Sequence, residues 1–136
     1  MVIIMRFKIM FLVGLLLTSC ASETSSYKNR ENEDIYIDFA SVFGFKSDYY
    51  CYFHLDGCEA CSYLTSKIEI KARESNNIYV VNALVDYNVG YRRDDIIGVD
   101  NVANITFVGF PCLYYISNQK IEAIFIGVKE ITNELF

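Results

Sequence analysis

The 136-residue chain has no tryptophan, one proline and one histidine. The single histidine limits the catalytic and metal sites that the chain can form. A single histidine, His54, leaves cysteine–histidine hydrolysis only one candidate base. Zinc usually takes four cysteine or histidine ligands, yet the chain has no second CxxC and no HxxxH motif. A zinc site, the first alternative considered, would therefore need Cys51, Cys58, Cys61 and Cys112 together, or His54 in place of one of them.

Positive charge is also scarce. The chain has 12 Lys and Arg against 17 Asp and Glu, a formal charge of −5, and two of its basic residues, Arg6 and Lys8, lie near the N-terminus. Acidic surfaces repel nucleic acid and anionic lipid headgroups. We therefore expect no nucleic-acid partner, and any membrane attachment must come from something other than a basic patch.

The N-terminal apolar run, Ile9–Leu17, has nine residues, whereas a membrane-spanning helix needs about 20. It follows Arg6 and Lys8 and ends in Leu17-Thr18-Ser19-Cys20. A positive start, a short apolar run and small residues before a cleavage point are typical of an export signal. An ordinary secretory signal that happens to precede a cysteine is the alternative.

The end of that segment resembles the lipobox of bacterial lipoproteins, an aliphatic residue and two small residues before a cysteine. The resemblance implies a signal peptide over 1–19, acylation of Cys20 with palmitate-type chains, and an extracytoplasmic protein anchored to the cell membrane. Two or three chains give stable anchoring. Residues 20–33 are rich in Ser, Glu and Asn and predict a flexible tether, and 34–136 predict one folded domain.

Four cysteines remain, in a compartment where disulfides persist. Two of them form the CxxC motif Cys58-Glu59-Ala60-Cys61. Before it, an aromatic and apolar run at 49–55 predicts a buried strand, which Asp56-Gly57 ends as a turn. After it, apolar residues spaced by three and four predict the buried face of a helix: Cys61, Leu64, Ile68 and Ala72.

This placement favours redox chemistry. The first turn of a helix offers free N–H groups and the positive end of the helix dipole, and both stabilise a thiolate, the reacting form of cysteine. Cys58 would lie at that helix start, and Cys61 is close enough in sequence to reach back to it. The pair is therefore the candidate catalytic site.

The second half predicts further elements. Residues 77–86 favour a buried strand parallel to the first, and 87–104 favour a loop with one helical turn. Pro111 suits the first residue of a strand because proline cannot donate to a ladder. The polar residues 117–120 predict a hairpin turn, and 128–136 predict a closing helix.

A CxxC at a strand–helix junction, a second parallel strand, a lone proline heading an antiparallel hairpin and a final helix together resemble the thioredoxin superfamily. The resemblance implies an α/β fold with a central mixed sheet of four or five strands and helices on both faces. It implies that Pro111 is a cis-proline beside the CxxC, that the Phe110 backbone meets the substrate, that Cys58 attacks and that Cys61 resolves.

The implied function is a membrane-anchored thiol–disulfide oxidoreductase that reduces or isomerises disulfides of exported cysteine-containing proteins. It needs no bound cofactor besides its redox-active disulfide, but it needs a membrane electron donor or acceptor. Two alternatives keep the export signal: a thioredoxin-like accessory or binding lipoprotein without redox turnover, and a small solute-binding lipoprotein.

The motif departs from the family. Gly57 stands where thioredoxins carry Trp, Glu59-Ala60 replaces Gly-Pro, and Tyr52 replaces a buried Asp. A carboxylate at Glu59 opposes the neighbouring thiolate, so we predict a reducing pair rather than a strong oxidant. His54 could assist protonation, or it could be an ordinary half-buried strand histidine.

Cys51 and Cys112 fall on strands that should be antiparallel neighbours, with their positions about two residues apart. We therefore expect no disulfide between them and interpret both as buried free thiols. A third redox role for Cys112 is the alternative, since it follows Pro111 directly.

Overall fold

The central strand, β2 (Tyr49–Phe53), has apolar or aromatic side chains on both faces, and four of its five residues are buried. In the computed structural model, which describes residues 35–81 and 86–136, β2 lies in the middle of a five-stranded mixed sheet. Its parallel neighbour is β3 (Ile78–Val81), and its antiparallel neighbour is β6 (Cys112–Ser117). The predicted mixed α/β sheet is therefore confirmed.

The other elements complete that sheet and cover it. Short β1 (Tyr36–Ile37) pairs with β3 at one edge, and β7 (Lys120–Ile126) pairs with β6 at the other. A second sheet contains two short parallel strands, β4 (Asn88–Val89) and β5 (Thr106–Phe107). The helices are α1 (Glu59–Glu74) and α2 (Gly127–Leu135). The strand order of the large sheet is β1-β3-β2-β6-β7.

The predicted hairpin joins β6 to β7 through a two-residue turn. Asn118 and Gln119 both have positive φ, 51° and 59°. Two left-handed residues give a turn whose twist matches the right-handed twist of the flanking strands. The turn, the antiparallel pairing and the closing helix agree with the sequence prediction.

Helix α1 buries the face that the spacing predicted. Its buried residues are Cys61, Leu64, Ile68 and Ala72. Leu64, Ile68 and Ala72 pack against the β2, β3 and β6 side chains that point to the same side of the sheet, and Ile131 of α2 joins this cluster. Apolar contacts of these helical residues with the sheet therefore stabilise the crossover from β2 through α1 to β3.

The prediction of helices on both faces is wrong for the described residues, because α1 and α2 pack on the same face and contact each other. The opposite face is covered by irregular chain and three 3-10 turns, at Phe39–Ser41, Arg93–Asp95 and Val102–Asn104. The polar segment after β3 lacks an amphipathic helical stripe. It therefore covers the sheet with isolated apolar residues such as Ile96 and Ile105.

Other boundaries also differ. The strand predicted over 77–86 is described only as Ile78–Val81, and 82–85 lie outside the described residues. The segment 87–104 holds β4 and two 3-10 turns, where one helical turn was predicted. The signal peptide, Cys20 and the tether also lie outside the described residues. Neither described helix is long and apolar enough to cross a membrane.

The packing of α1 yields a stability prediction. Replacing Ile68, which is fully buried, by alanine should lower the free energy of unfolding by about 2–5 kcal/mol, because it leaves a cavity. Ile70→Ala on the exposed face of the same helix is the matched control and should cost well under about 1 kcal/mol. Urea unfolding followed by circular dichroism measures both, and equal losses would contradict this packing.

Candidate functional site

The turn between β2 and α1 places the CxxC motif at the start of the helix. Gly57 has φ of 77°, a left-handed conformation that a side chain would disfavour. The Cys58 N–H donates to the Leu55 carbonyl at 3.4 Å, and α1 begins at the next residue. Cys58 is therefore the N-cap residue, as the sequence predicted.

Cys58 and Cys61 are joined by a disulfide, with their Cα atoms 5.2 Å apart. The Cys58 Sγ accepts a hydrogen bond from the Cys61 N–H at 3.1 Å, so the sulfur takes the place of a capping oxygen. Cys58 is half-buried, whereas Cys61 is 1% exposed. An incoming sulfur can therefore reach Cys58 but is shielded from Cys61.

The helix terminus surrounds Cys58 with opposing influences. Its Sγ faces a free N–H of the first turn and the positive end of the dipole, which stabilise a thiolate. Glu59, the next residue, is exposed and acidic. Its charge favours the helix start but opposes a second negative charge on Cys58.

Tyr52 of β2 lies beneath the motif. Its hydroxyl donates to the Cys61 carbonyl at 3.2 Å and lies 3.4 Å from the Thr65 hydroxyl. Thr65 donates to the same carbonyl at 2.8 Å. Burial raises the pKa of Tyr52. Sequence reasoning noted Tyr52 only as a departure from the family, because no spacing rule reveals a contact with a backbone carbonyl nine residues away.

His54 continues the same strand direction toward the motif. Its ring stacks on Tyr52 with centroids 5.9 Å apart, and its Nε2 is buried without a hydrogen-bond partner among the described residues. Desolvation lowers the pKa of His54, against the opposing influence of the carboxylates of Asp56 and Glu69. The imidazole is therefore neutral at pH 7.

Pro111 lies at the same end of the sheet as the CxxC. The register pairs Phe53, the last residue of β2, with Cys112, the first residue of β6, so both motifs leave the sheet there. The Phe110–Pro111 peptide bond is cis, and Pro111 is buried with its carbonyl accepting from the Gly127 N–H at 2.8 Å. The structure thus brings the two predicted parts of the site to one edge.

The Phe110 side chain turns toward the other face of the sheet. Its ring stacks on Phe107 at 5.0 Å and meets Tyr87 edge-on at 5.0 Å. The side chain is therefore part of the aromatic packing on that face.

Cys51 and Cys112 are both free, and the predicted offset of two residues is confirmed, since Cys51 pairs with Tyr114 and Phe53 with Cys112. Diagonal neighbours on adjacent strands lie about 7–8 Å apart, beyond the usual disulfide range. Both thiols point to the face opposite α1 and are fully buried. They are therefore not brought together with the CxxC pair.

This geometry bears on two of the alternatives, the four-cysteine zinc site and a third redox role for Cys112. The described residues contain no group of three or more His, Cys, Asp or Glu that could hold a metal ion. Burial raises the pKa of the Cys112 thiol, which leaves it a poor nucleophile. Neither observation favours the four-cysteine zinc site or a third redox cysteine.

No family model matches the chain, and no curated protein matches it. Its function must therefore be argued from the site.

The burial of His54 predicts a pH dependence. Its pKa in the folded protein lies below the ordinary value of 6.5, so the unfolded chain takes up the proton first as the pH falls. Stability should therefore decline below about pH 6.5 through the folded pKa. Urea midpoints at pH 7.5 and 5.5 should differ more for the wild type than for His54→Gln. An equal decline in both proteins would contradict this assignment.

The buried thiols predict a labelling pattern. In the native protein, iodoacetamide should leave Cys51 and Cys112 unmodified, because burial raises the pKa of each thiol and excludes the reagent. Both should react after denaturation. Peptide mapping by mass spectrometry distinguishes them, and native labelling of Cys112 at the rate of an unfolded thiol would contradict its burial.

Proposed function

We propose that this is a thioredoxin-like domain of an extracytoplasmic, lipid-anchored protein, a thiol–disulfide oxidoreductase that reduces or isomerises protein disulfides. The observation that carries the proposal is the Cys58–Cys61 pair at the start of α1, with one accessible sulfur and one shielded sulfur. Pro111 at the same sheet edge supports it, because an enzyme of this kind needs a surface beside the nucleophile for a substrate chain.

The order of elements supports the thioredoxin-like fold. A parallel β2–α1–β3 crossover is followed by the antiparallel β6–β7 hairpin and then by α2. The lipid anchor and the export of the protein follow from the resemblance of the segment ending at Cys20 to a lipobox.

The reaction proceeds in two exchanges. The Cys58 thiolate attacks one sulfur of a substrate disulfide, which forms a mixed disulfide and releases one substrate thiolate. The Cys61 thiolate then attacks the Cys58 sulfur, which forms the Cys58–Cys61 bond and releases the second substrate thiolate. The two thiolates take up the two protons that the protein dithiol has lost, so the substrate gains two electrons and two protons.

The dithiol must then be restored. A membrane partner with its own dithiol would give up two electrons and two protons to the Cys58–Cys61 bond. Glu59 sets the direction in this proposal: its charge opposes the Cys58 thiolate, and a less stable reduced form is a stronger reductant.

One observation favours the alternative of an accessory lipoprotein without redox turnover. The Tyr52 hydroxyl donates to the Cys61 carbonyl, and burial raises the pKa of that hydroxyl. A neutral hydroxyl is a poor acceptor for the Cys61 proton, which slows the second exchange. A bond between Cys58 and Cys61 that no thiol buffer reduces would support this alternative.

The proposal predicts a reversible redox couple. The full chain in detergent would be equilibrated in thiol–disulfide buffers, quenched with acid and mapped by mass spectrometry for alkylated cysteines. Cys58 and Cys61 should titrate together near or below about −200 mV. A midpoint near about −120 mV, the strongly oxidising end, would contradict the proposed direction.

The proposal also predicts a trapped intermediate. Cys61→Ser cannot complete the second exchange, so it should accumulate a mixed disulfide through Cys58 when it meets a disulfide-bonded protein. Cys58→Ser should accumulate none, and Cys112→Ala is the control that should behave like the wild type. Equal trapping by both single variants would exclude the assigned roles.

A further inference from the structure

An apolar stripe lies exposed on the segment that contains β4. Tyr87, Val89 and Tyr91 alternate with Asn88 and Gly90, the period of an extended strand with one apolar side. Such a stripe normally faces a core, yet Val89 is 60% and Tyr91 is 88% exposed. Val89 lies in β4 and Tyr87 and Tyr91 flank it, and three apolar side chains so close in sequence are more than scattered surface residues.

The backbone of the same strand is open on one side. The Gly90 N–H donates to the Phe107 carbonyl at 2.9 Å, so Gly90 faces β5. Successive residues of a strand point their N–H and C=O groups to opposite edges, so those of Val89 face away from β5. Among the described residues no third strand joins this sheet. β4 is therefore a free edge that can accept another strand.

The segment that contains β4 approaches β5 closely at Gly90, where there is no side chain. A Cβ at Gly90 would lie 2.6 Å from the Thr106 hydroxyl oxygen and 3.0 Å from its Cβ. Asn88 also lies within 3.4 Å of the carbonyls of Ala103 and Ile105, to which its amide donates. The edge is thus held in place by glycine and by side-chain hydrogen bonds.

The stripe adjoins the residue that precedes Pro111. The Tyr87 ring contacts the Phe110 ring edge-on, with centroids 5.0 Å apart, and Phe110 precedes Pro111. β5 runs parallel to β4 and leads through Val108, itself 38% exposed, to Pro111. A chain bound along β4 would therefore run beside the segment that leads to Pro111.

The segment that carries the stripe is acidic. Residues 86–95 contain three aspartates and two arginines. Both arginines are engaged, Arg93 with Glu130 at 2.7 Å and Arg92 with Asp94 at 3.7 Å. Asp86 and Asp95 make no ion pair with any described residue. Such a surface attracts basic side chains and repels acidic ones.

We propose that the free edge of β4 and its stripe, Tyr87, Val89 and Tyr91, bind an extended segment of the protein substrate by strand addition. The segment carries apolar side chains alternating with basic ones near its cysteine. Main-chain hydrogen bonds supply affinity and the stripe selects side chains, the usual division in this mode of recognition. The inference rests on the proposed function, since it names the substrate class of the Cys58–Cys61 site.

The first readout is binding alone. A fluorescein-labelled peptide in which valine and phenylalanine alternate with lysine, with serine in place of cysteine, would be titrated with the full chain and followed by anisotropy. Val89→Ser combined with Tyr91→Ser should weaken binding about tenfold. Tyr63→Ser combined with Ile70→Ser removes similar exposed apolar groups from α1 and is the matched control, which should bind as the wild type does.

Peptide variants test the main-chain hydrogen bonds and the charge complementarity. N-methylation on one edge of the peptide removes hydrogen-bond donors without changing its side chains, and it should weaken binding about as much as the β4 variant does. A peptide with glutamate in place of lysine should bind more weakly than the lysine peptide, and the difference in affinity between the two peptides should shrink at high salt. If the β4 variant binds like the wild type, or if the α1 control loses as much affinity, the inference is overturned.

The second readout separates the two proposals. The wild type and the β4 variant, each with its Cys58–Cys61 bond reduced beforehand and the reductant removed, would be mixed with the cysteine-containing peptide disulfide or with glutathione disulfide. If the β4 variant reduces the peptide disulfide more slowly than the wild type does but reduces glutathione disulfide at the same rate, docking at β4 is supported. If the two proteins reduce the peptide disulfide at equal rates, docking at β4 is overturned. If neither disulfide is reduced by the wild type while the serine peptide still binds at β4, the proposed redox function fails and the docking surface stands.

Discussion

The pairing of β2 with β6 is the interaction on which the rest of this structure depends. It sets Phe53 opposite Cys112, and that register brings the end of β2 and the start of β6 to one edge of the sheet. A shift by one residue would exchange the two faces of either strand. It would move Tyr52 from the helix side, where its hydroxyl meets the Cys61 carbonyl, to the aromatic side.

The same register separates two kinds of cysteine. Cys58 and Cys61 lie at the terminus of a helix that packs on one face, and Cys51 and Cys112 point into the aromatic cluster on the other. The second pair is buried between strands and behaves as small apolar side chains. The sheet thus separates the Cys58–Cys61 pair from the other two thiols.

The parts that could be predicted were those with a local signal. The spacing of Cys61, Leu64, Ile68 and Ala72 defines a helical face, and the polar turn before Lys120 defines a hairpin. The second covering layer could not be predicted, because Ile96 and Ile105 reach the core from 3-10 turns and loops that have no period. The contact of Tyr52 with Cys61 also had no signal, since it depends on how α1 lies over β2.

Cys61 and Cys58 differ in the groups that could help each thiol lose its proton. In the proposed reaction the Cys61 thiol must lose a proton before it attacks the mixed disulfide, yet Cys61 is almost fully buried. The Tyr52 hydroxyl that donates to the Cys61 carbonyl has a pKa raised by burial. His54 stacks on that tyrosine, but desolvation lowers the pKa of its imidazole and so makes it a weaker base. Cys58, by contrast, has its sulfur against a helix N–H and is partly exposed. In the proposed reaction we therefore expect the first exchange to be faster than the second, so that the mixed disulfide through Cys58 is the longer-lived species.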